Sequence, residues 1–584
     1  MKVRVPVMVK DPEVTDFKDI EPTEPYVIEQ EDFFLDGPIS RRVAVLDFDP
    51  VTGKLTPGAR FLPPDGRNKE GRYDLPSDPN LQDPAFMQVA TFGGVYKTIG
   101  MFEETDTLGR RVRWAFPNSQ LLVVPRAGEW ANAFYERDSR SLQLFFFTPA
   151  GKPKPVYACH SQDIIAHETA HAVIDGVAPD LYHSTQPESL AIHESLADLA
   201  TLIMAFRSRE LAAHVLEHTH GSIEEPSAFT AIAEQFGGAI GKKGHSLRNI
   251  NNDRKLTDPT LDRSEPHALS EVLSGALYAV MVKIYDELRG VPDEEETPRD
   301  SSVAVEAEYR QWAQSSEPGA LQARLGDRRG TAPKRALFIA SERFKRTILR
   351  ALDYLPPGEV SFSDFGRALL ASDQASHPDS GEQRVWLRQE FVRRGIATKT
   401  GDLEVQTNFE QSDVTRLDLD ELLQSDWLAY RFANRNRDWL GIPPRVPFEV
   451  PPRLDVTKKY YHRGGDEPQS VRECLFKVSW TDTEKNPVGG GLPSKRRFLR
   501  GTTLAIDWES KRVRAVVTSR KSRSASEART RFLTRLVQAD ALNIEEGASV
   551  RGVSPMRHAV NGEVINGVLR LRGTAHALHL WKEY

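Results

Sequence analysis

Cysteine is nearly absent from this sequence of 584 residues, which contains only Cys159 and Cys474. Two thiols exclude a disulfide scaffold and a cysteine-based zinc module, but not a metal held by histidine and glutamate. We expect both thiols to be buried and inert. An excess of one charge is also lacking, since 77 Lys and Arg stand against 83 Asp and Glu, a formal net charge of −6. This balance does not mark a nucleic-acid-binding or membrane-surface protein.

Long apolar runs are missing as well, and none of the length needed to cross a bilayer is found. The N-terminal residues MKVRVPVMVKDPEVTDF are basic, but no adequate apolar stretch or small-residue cleavage site follows them. We therefore expect no signal peptide, no membrane span and a cytoplasmic protein, with export by a route without an N-terminal signal left open. The chain length predicts two to four domains.

The periodicity of apolar residues predicts an α+β protein in five segments. These are a β-rich segment at 1–80, strands followed by a helix (161–175) at 81–180, a helical region with a polar insertion (291–334) at 181–397, an acidic and then Pro-rich linker at 398–465, and a smaller α+β accessory domain at 466–584. In the helical region the pattern predicts helices at 188–207, 267–288, 335–354, 362–372 and 382–394. In the accessory domain it predicts a helix at 525–540 and a turn at Asn561-Gly562.

His167, Glu168 and His171 form an H-E-x-x-H motif inside the predicted helix 161–175. Residues four apart lie on one face of a helix, so both imidazoles can reach one Zn²⁺. The intervening Glu168 then lies beside the open coordination position, where a general base is needed. The alternative is a solvated helix that carries two surface histidines.

Zinc needs a third protein ligand. The pattern H-E-x-x-H-x-x-G-x-x-H is excluded, because Ile174 and Val177 replace its glycine and its third histidine. The next predicted helix offers Glu194, with Asp198 one turn later on the same face. Glu194 can complete a His₂Glu site, and Asp198 can orient a ligand imidazole. Asp175, one turn after the motif, is a second candidate for such support.

From about residue 83 to 396 the chain resembles the thermolysin family of gluzincin metallopeptidases. Residues 164–175, IIAHETAHAVID, are similar to the active-site helix of that family. Further pieces match in the family's order: Asn132-Ala133-Phe134-Tyr135, Tyr182, Leu247-Arg248, Asp262 and His267. The resemblance implies a two-lobed fold, with a β-rich N-terminal lobe, a helical C-terminal lobe and one zinc ion between them.

The resemblance also implies a zinc endopeptidase and a role for each matched residue. Tyr182 and His267 would stabilise the oxyanion, with Asp262 as the partner of His267. The other roles concern substrate binding: Asn132 and Ala133 would hold the main chain of an extended peptide or protein substrate at a sheet edge, Arg248 would bind a substrate carbonyl, and Leu247 would line S1′. An apolar residue is then favoured at P1′.

The sequence departs from the family pattern at several points. His193 stands where the family has Asn before the ligand glutamate, either as an added polar wall residue or as a perturbation of the site. The acidic calcium-binding stretch is missing, because TPAGKPKPVY follows Phe147 without an aspartate and Ala205 replaces an acidic ligand. We therefore expect one Zn²⁺ per chain and no calcium.

Two other functions remain open. One is a zinc-binding interaction protein without catalytic activity, although such a protein needs the ligands and not Glu168, Tyr182 and His267. The other is a gluzincin aminopeptidase, although the G-x-M-E-N motif typical of that class is absent from the sequence.

Residues 398–584, which we call the extension, lie outside the resemblance. Within it, residues 491–536 contain 13 Lys and Arg against 3 Asp and Glu. This excess indicates either an anionic partner, such as a nucleic acid or an acidic protein surface, or the solvated face of a small domain. Residues 402–426 hold eight acids and one arginine, so they can also neutralise the basic segment within the chain. We expect either the insertion at 291–334 or the extension to restrict the cleft, and favour the extension because it is large enough to fold over a surface. The alternative is that the extension recruits a substrate or partner and leaves the cleft open.

Overall fold

A computed structural model describes residues 1–11, 20–29, 31–76, 80–224, 227–233, 237, 248–289, 331–377, 381–405, 413–460, 469–489, 491–539, 541–545, 560–572 and 574. Over these residues the fold is mixed α+β, which confirms the predicted class. The helices are α1 (Pro84–Glu103), α2 (Gln162–Val177), α3 (Pro187–Arg207), α4 (Arg209–His218), α5 (Pro266–Arg289), α6 (Thr331–Tyr354), α7 (Phe362–Ser376), α8 (Glu382–Arg393), α9 (Leu419–Gln424), α10 (Asp426–Arg435) and α11 (Arg523–Gln538). Short 3₁₀ turns lie at Ala158–His160, Thr400–Leu403 and Asp413–Arg416.

The strands fall into an N-terminal and a C-terminal group. They are β1 (Val3–Met8), β2 (Thr23–Ile28), β3 (Phe34–Leu35), β4 (Ile39–Ser40), β5 (Val43–Val45), β6 (Phe61–Leu62), β7 (Gly71–Tyr73), β8 (Leu121–Val124), β9 (Ala133–Glu136), β10 (Ser141–Leu144), β11 (Phe146–Phe147), β12 (Val156–Tyr157), β13 (Ala231–Ile232), β14 (Arg248–Asn249), β15 (Phe448–Glu449), β16 (Leu454–Tyr460), β17 (Gln469–Lys485), β18 (Lys495–Asp507), β19 (Val513–Thr518), β20 (Leu542–Glu545), β21 (Val560–Ile565) and β22 (Val568–Arg572).

The N-terminal strands form two main sheets. One has the order β2-β1-β7-β6, and the other has the order β3-β4-β5-β8-β10-β9. In the second sheet β9 pairs antiparallel with β10 and occupies the edge of the described strand order. The strand that carries the predicted peptide-binding motif is therefore an edge strand. Two short pairs, β11-β12 and β13-β14, complete this part of the chain.

Helices α3 and α5 form the centre of the helical region and pack against each other. Both are long and apolar enough to cross a membrane by length and composition. However, the apolar 18-residue stretch of α3 is 100% buried inside the protein, and that of α5 is 78% buried. Here they serve as core helices. Among the described residues these two are the helices that meet the criteria for a candidate span.

The two cysteines are both free and buried, as expected. Burial raises the pKa of the Cys159 thiol and of the Cys474 thiol to about 12 each. Thiols with such a pKa are almost entirely protonated at neutral pH, and the thiol is a far weaker nucleophile than the thiolate.

Residues 398–465 were predicted to form a linker. This prediction is wrong for residues 413–460, which contain α9, α10, β15 and β16. Leu419, Leu422 and Phe432 from these helices share a buried cluster with Phe476 and Trp480 of β17. Composition is misleading here because the acids lie on the outer faces of short amphipathic helices, while the apolar residues between them are buried. The small C-terminal unit therefore begins before the proline-rich stretch.

The C-terminal sheet has the order β15-β17-β18-β22-β21-β20, with β16 also paired to β17 and β19 to β18. The turn predicted at Asn561-Gly562 is wrong, since both residues lie within β21. The hairpin turns instead at Asn566-Gly567, where both residues have positive φ (53° and 71°). A two-residue hairpin turn of this kind needs positive φ twice, which Asn-Gly tolerates well. Two Asn-Gly pairs five residues apart made the choice ambiguous from sequence.

Two further boundaries differ from the sequence-based prediction. Residues 331–334, assigned to the polar insertion, begin α6, while the rest of that insertion lies outside the described residues. The predicted helix at 525–540 is confirmed as α11, which begins two residues earlier and is capped by Ser522 Oγ accepting from Ala525 N at 3.1 Å.

Buried charges join the extension to the preceding residues. The fully buried carboxylate of Asp353 pairs with Lys458 Nζ at 2.7 Å and with Arg110 Nη2 at 2.6 Å. Arg529 on α11 donates to Glu359 Oε2 at 2.9 Å and to Gln186 Oε1 at 3.2 Å. Removing one partner of such a pair leaves an uncompensated buried charge, at a cost of about 3–5 kcal/mol. The extension is therefore an integral part of the fold.

Candidate metal centre

Helix α2 carries the H-E-x-x-H motif. Ser161 caps it, because its Oγ accepts a hydrogen bond from Ile164 N at 3.3 Å. Gly176 lies in the last turn of α2, which ends at Val177, two residues beyond the predicted end at 175. A Cβ at Gly176 would lie 2.1 Å from the carbonyl oxygen of Arg113. This glycine thus permits the close approach of the chain around residue 113 to α2.

The structure brings His167, His171 and Glu194 together, with their ligand atoms all within 4.8 Å of one another. His167 Nε2 lies 3.0 Å from His171 Nε2. The oxygens of Glu194 lie 3.6 Å from His167 Nε2 and 3.5 Å from His171 Nε2. A tetrahedral zinc ion with bonds of about 2.0–2.1 Å holds neighbouring donor atoms roughly 3.3–3.4 Å apart. The donor set and its spacing therefore fit one zinc ion.

Each imidazole is oriented through its other ring nitrogen. Asp198 Oδ1 lies 3.0 Å from His167 Nδ1, as the helical spacing of Glu194 and Asp198 predicts. His193 Nδ1 lies 2.6 Å from His171 Nδ1, with the two rings stacked at a centroid distance of 4.7 Å. His193 is therefore a direct neighbour of a ligand imidazole, in the place where the resemblance leads us to expect an asparagine.

The charges around the centre set the protonation of these groups. Burial would lower the pKa of His167, but Asp198 and Glu194 raise it to about 9. Burial, together with Arg137 and His167, lowers the pKa of His193 to about 4, so its ring is neutral and can accept a hydrogen bond from His171 Nδ1–H. Burial opposes the ionisation of Glu194, yet nearby His267 and His171 hold its pKa well below the usual value. Metals bind the carboxylate and the neutral imidazole, so a metal ion would displace the proton of His167 on binding.

Glu168 points from α2 toward the edge strand β9. Its Oε2 accepts a hydrogen bond from the backbone nitrogen of Tyr135 at 3.0 Å, and the residue is 4% exposed. Asn132, which precedes the strand, is buried, and its Oδ1 accepts from Ala133 N at 2.9 Å. The open side of the edge strand, the candidate base and the metal ligands thus lie next to one another.

Tyr182 lies close to this strand. Its hydroxyl oxygen accepts a hydrogen bond from Arg137 N at 3.3 Å, and the Arg137 guanidinium lies 4.5 Å from the centre of its ring. Burial and nearby Asp175 raise the pKa of Tyr182 above its ordinary value, which keeps the phenol protonated. Its O–H remains available as a donor.

Asp175 supports the edge strand and does not contact a ligand imidazole. It accepts hydrogen bonds from the Tyr135 hydroxyl at 2.8 Å and from Arg137 Nε at 2.8 Å. The prediction that Asp175 orients a candidate ligand imidazole is therefore wrong. Asp175 lies one turn beyond His171, but the hydrogen bonds from Tyr135 and Arg137 direct its carboxylate toward β9.

His267 reaches the centre from the start of α5, with its Nε2 3.4 Å from Glu194 Oε2. The carboxylate beside its other nitrogen belongs to Glu265, whose Oε1 lies 2.9 Å from His267 Nδ1. Burial would raise the pKa of Glu265, but hydrogen bonds from His267 lower it to about 2. Asp262, the predicted partner of His267, instead pairs with Arg535 of the extension at 3.0 Å and accepts from Ser264 Oγ at 2.6 Å.

Arg248 also lies at the centre. Its Nη1 is 2.8 Å from Asp198 Oδ1 and 3.2 Å from Glu194 Oε2. The guanidinium therefore stabilises the negative charges of Asp198 and of the candidate ligand Glu194. Leu247, expected to line S1′, lies outside the described residues.

A second group of carboxylates, Glu104, Asp106 and Glu342, also lies close enough together to hold a cation. Lys345 Nζ already contacts all three, at 2.5 Å from Glu342 and 3.3 Å from Asp106. Arg207 pairs with Glu104 at 2.7 Å. These side-chain cations supply the positive charge, so the group is a buried ion-pair network.

About half of the 13 cations in the basic segment 491–536 are paired with carboxylates of the described residues. Seven of its side chains form ion pairs with carboxylates: Arg496, Arg500, Arg514, Lys521, Arg523, Arg529 and Arg535. Such pairing is what the solvated face of a small domain predicts. This pairing lowers the charge excess that an extended polyanion would meet.

Sequence reasoning misses Glu265 and Arg137. Glu265 has a local signal, because an acid directly before Pro266, the first residue of α5, is a favourable helix cap. Arg137 has none, since its contacts with Asp175 and Tyr182 depend on the packing of β9 against α2.

A scan against protein-family models finds no match for the chain, and a search of curated proteins finds no similar sequence. The geometry of the site therefore carries the functional argument.

Proposed function

We propose that the protein is a zinc-dependent endopeptidase with a thermolysin-like, two-lobed catalytic unit over about residues 81–397. The observation that carries the proposal is the convergence of His167, His171 and Glu194 at zinc-like spacing, with Glu168 between the ligands and an edge strand. A structural zinc site needs ligands alone. The adjoining base and edge strand favour peptide hydrolysis over a zinc-binding interaction protein.

His167, His171 and Glu194 would hold the zinc ion and leave its fourth position open. When bound, zinc lowers the pKa of water and polarises a substrate carbonyl. Glu168 accepts a proton from the attacking water and passes it to the leaving amine. The Tyr182 hydroxyl and the His267 imidazole donate to the oxyanion, and Glu265 holds His267 in place.

The substrate is proposed to be a peptide or protein bound as an added strand. An extended peptide pairs with the open side of β9, which Asn132 and Ala133 begin. Arg248 contacts Asp198 and Glu194, and from this position it would bind a substrate carbonyl. The preference for an apolar P1′ residue rests on Leu247.

Replacement of Glu168 by Gln tests the proposal. We expect the variant to retain about one zinc per chain, because the ligands are intact, while kcat for a quenched-fluorescence peptide falls roughly 100- to 10,000-fold. Metal analysis and initial rates measure the two effects. Glu217→Gln, an exposed change on α4, is the matched control and should keep full activity.

Removal of zinc with a chelator should abolish hydrolysis by the wild-type protein, and added Zn²⁺ should restore it. A zinc content well below one per chain, or robust hydrolysis by Glu168→Gln, would contradict the proposal. Products that are released only as single N-terminal residues would indicate an aminopeptidase instead.

A further inference from the structure

The outer face of α11 and the loop before α5 border a shallow, open surface cavity of about 410 Å³. The loop contributes Asp262 and Ser264, and the helix contributes Thr530, Arg531, Thr534, Arg535 and Gln538. The extension thus forms one wall of a cavity that begins three residues before His267. At the extended length of a chain, Ser264 and His267 are at most about 10 Å apart.

The face of α11 that lines this cavity does not pack against the hydrophobic core. Phe532, Leu533 and Leu536 cover the inner face of α11 and are buried. Arg531 and Arg535 are four residues apart and therefore share the opposite face. Both side chains project where the helix makes no core contact.

The charges in the cavity are unequal. Arg535 pairs with Asp262 at 3.0 Å, so these two charges neutralise each other. Arg531 is exposed and, among the residues that the structure describes, has no carboxylate partner. One positive charge is left at the rim of a polar cavity.

We propose that this cavity binds an acidic side chain of the substrate polypeptide and that Arg531 is a specificity-determining residue. The inference rests on the proposed peptidase function. A substrate strand advances about 3.3 Å per residue, so the acidic residue would lie roughly three or four positions from the scissile bond. The guanidinium recognises a carboxylate through paired N–H donors.

A nucleic acid fits this cavity less well. Most neighbouring basic residues are already paired within the chain, for example Arg529 with Glu359 and Arg523 with Glu527. A polyanion needs a continuous track of unpaired cations, whereas one carboxylate needs a single guanidinium.

Three quenched-fluorescence peptides with one apolar centre test the proposal. The first peptide carries Glu three and four residues before the scissile bond, and the second carries Glu three and four residues after it. The third peptide carries Gln at all four positions. For the wild type we expect one acidic peptide to show an about fivefold lower KM than the Gln peptide, with kcat unchanged, and 0.5 M NaCl to remove the difference. Binding of the labelled acidic peptides to Glu168→Gln, measured by fluorescence anisotropy, gives a readout independent of turnover.

Arg531→Glu should abolish the preference for the acidic peptide, and Arg531→Lys should retain part of it. The matched control is Arg523→Glu, which changes an exposed arginine on the same helix outside the cavity and should keep the preference. Zinc content and Tm establish that each variant is folded.

The outcomes separate the inference from the proposed function. Cleavage without an acidic preference, or a preference that survives Arg531→Glu, overturns the inference alone. Arg531-dependent binding of an acidic peptide without any cleavage supports the inference and overturns the peptidase. Arg531-dependent binding of a single-stranded 12-mer oligonucleotide, with no binding of the acidic peptides, replaces it by a nucleic-acid site. Absence of both binding and cleavage overturns both.

Discussion

The carboxylate beside His267 is a residue-scale departure with a traceable cause. Ser264 N donates to Asp262 Oδ1 at 2.9 Å and so closes a tight turn before α5. The helix then begins at Pro266, which places Glu265 at its cap, where it accepts from His267 N at 3.1 Å. Asp262 is turned outward to Arg535. The sequence predicts that a carboxylate a few residues before His267 is its partner. It does not predict the turn that selects Glu265 over Asp262.

The clustering of His167, His171 and Glu194 was predictable for the opposite reason. His167 and His171 lie one turn apart on one helix, and Glu194 and Asp198 lie one turn apart on the next. Helical geometry alone places each pair on one face. The contact of His193 with His171 depends on how α3 packs on α2, which the sequence does not contain.

His183 allows a prediction about acid stability. Its Nε2 contacts the Arg137 guanidinium, and burial together with Arg137, Arg572 and Arg570 lowers its pKa to about 3. The unfolded chain, with a His pKa near 6.5, then binds one more proton than the folded chain as the pH falls below about 6.5. Stability is therefore lost with decreasing pH, by about 1.4 kcal/mol per unit from this residue between pH 6 and 4.

Urea unfolding at several pH values measures this slope. His183→Gln keeps a polar acceptor for Arg137 and should make the slope between pH 6 and 4 shallower by about 1.4 kcal/mol per unit. His218→Gln, an exposed change on α4, should leave it unaltered. An unchanged slope in His183→Gln would show that His183 is protonated in the folded protein.

At the scale of elements, long periodic helices were predicted to within a few residues. Helices α3, α5 and α8 were predicted at 188–207, 267–288 and 382–394. Each repeats its apolar positions over several turns, so that many residues determine one assignment. The short helices α9 and α10 carry too few turns for such a signal.

The loop after α2 depends on one residue of the extension. Thr574 is fully buried, and its Oγ1 lies 2.6 Å from the carbonyl oxygen of Ser184 and 3.2 Å from that of Tyr182. Thr574→Val keeps the shape and leaves these buried carbonyls without that donor. We expect a loss of about 1–3 kcal/mol in the free energy of unfolding and a lower kcat, because the loop carries Tyr182.

Chemical denaturation and peptide kinetics measure the two effects of Thr574→Val. The control is Thr483→Val on the exposed side of β17, where valine is equally suited to a strand. Equal stability and activity of the two variants would show that Thr574 does not hold the loop.

At the scale of the whole molecule, the extension shares the main hydrophobic core. Phe532, Leu533 and Leu536 of α11 are buried in the same cluster as the site helices. Burial of three such side chains stabilises the fold by about 5–9 kcal/mol, a large part of the usual net stability. A lid that merely closes the cleft would not need this packing.

Truncation after residue 397 is therefore expected to yield an unfolded or aggregated chain rather than a faster peptidase. The cut also leaves Asp353 without Lys458 and Glu359 without Arg529. Circular dichroism, size-exclusion chromatography and activity on a generic peptide measure the result. A truncated chain that folds, binds zinc and cleaves faster than the full chain would establish autoinhibition instead.

The contact of Thr574 with the Tyr182 loop also has a consequence for synthesis. The two residues are 392 positions apart, so a ribosome that adds about 5–20 residues per second takes roughly 20–80 s to travel between them. During that time the nascent chain already contains His167, His171 and Glu194 but not Thr574. We expect the loop that carries Tyr182 to reach its final conformation only after Thr574 has been synthesised.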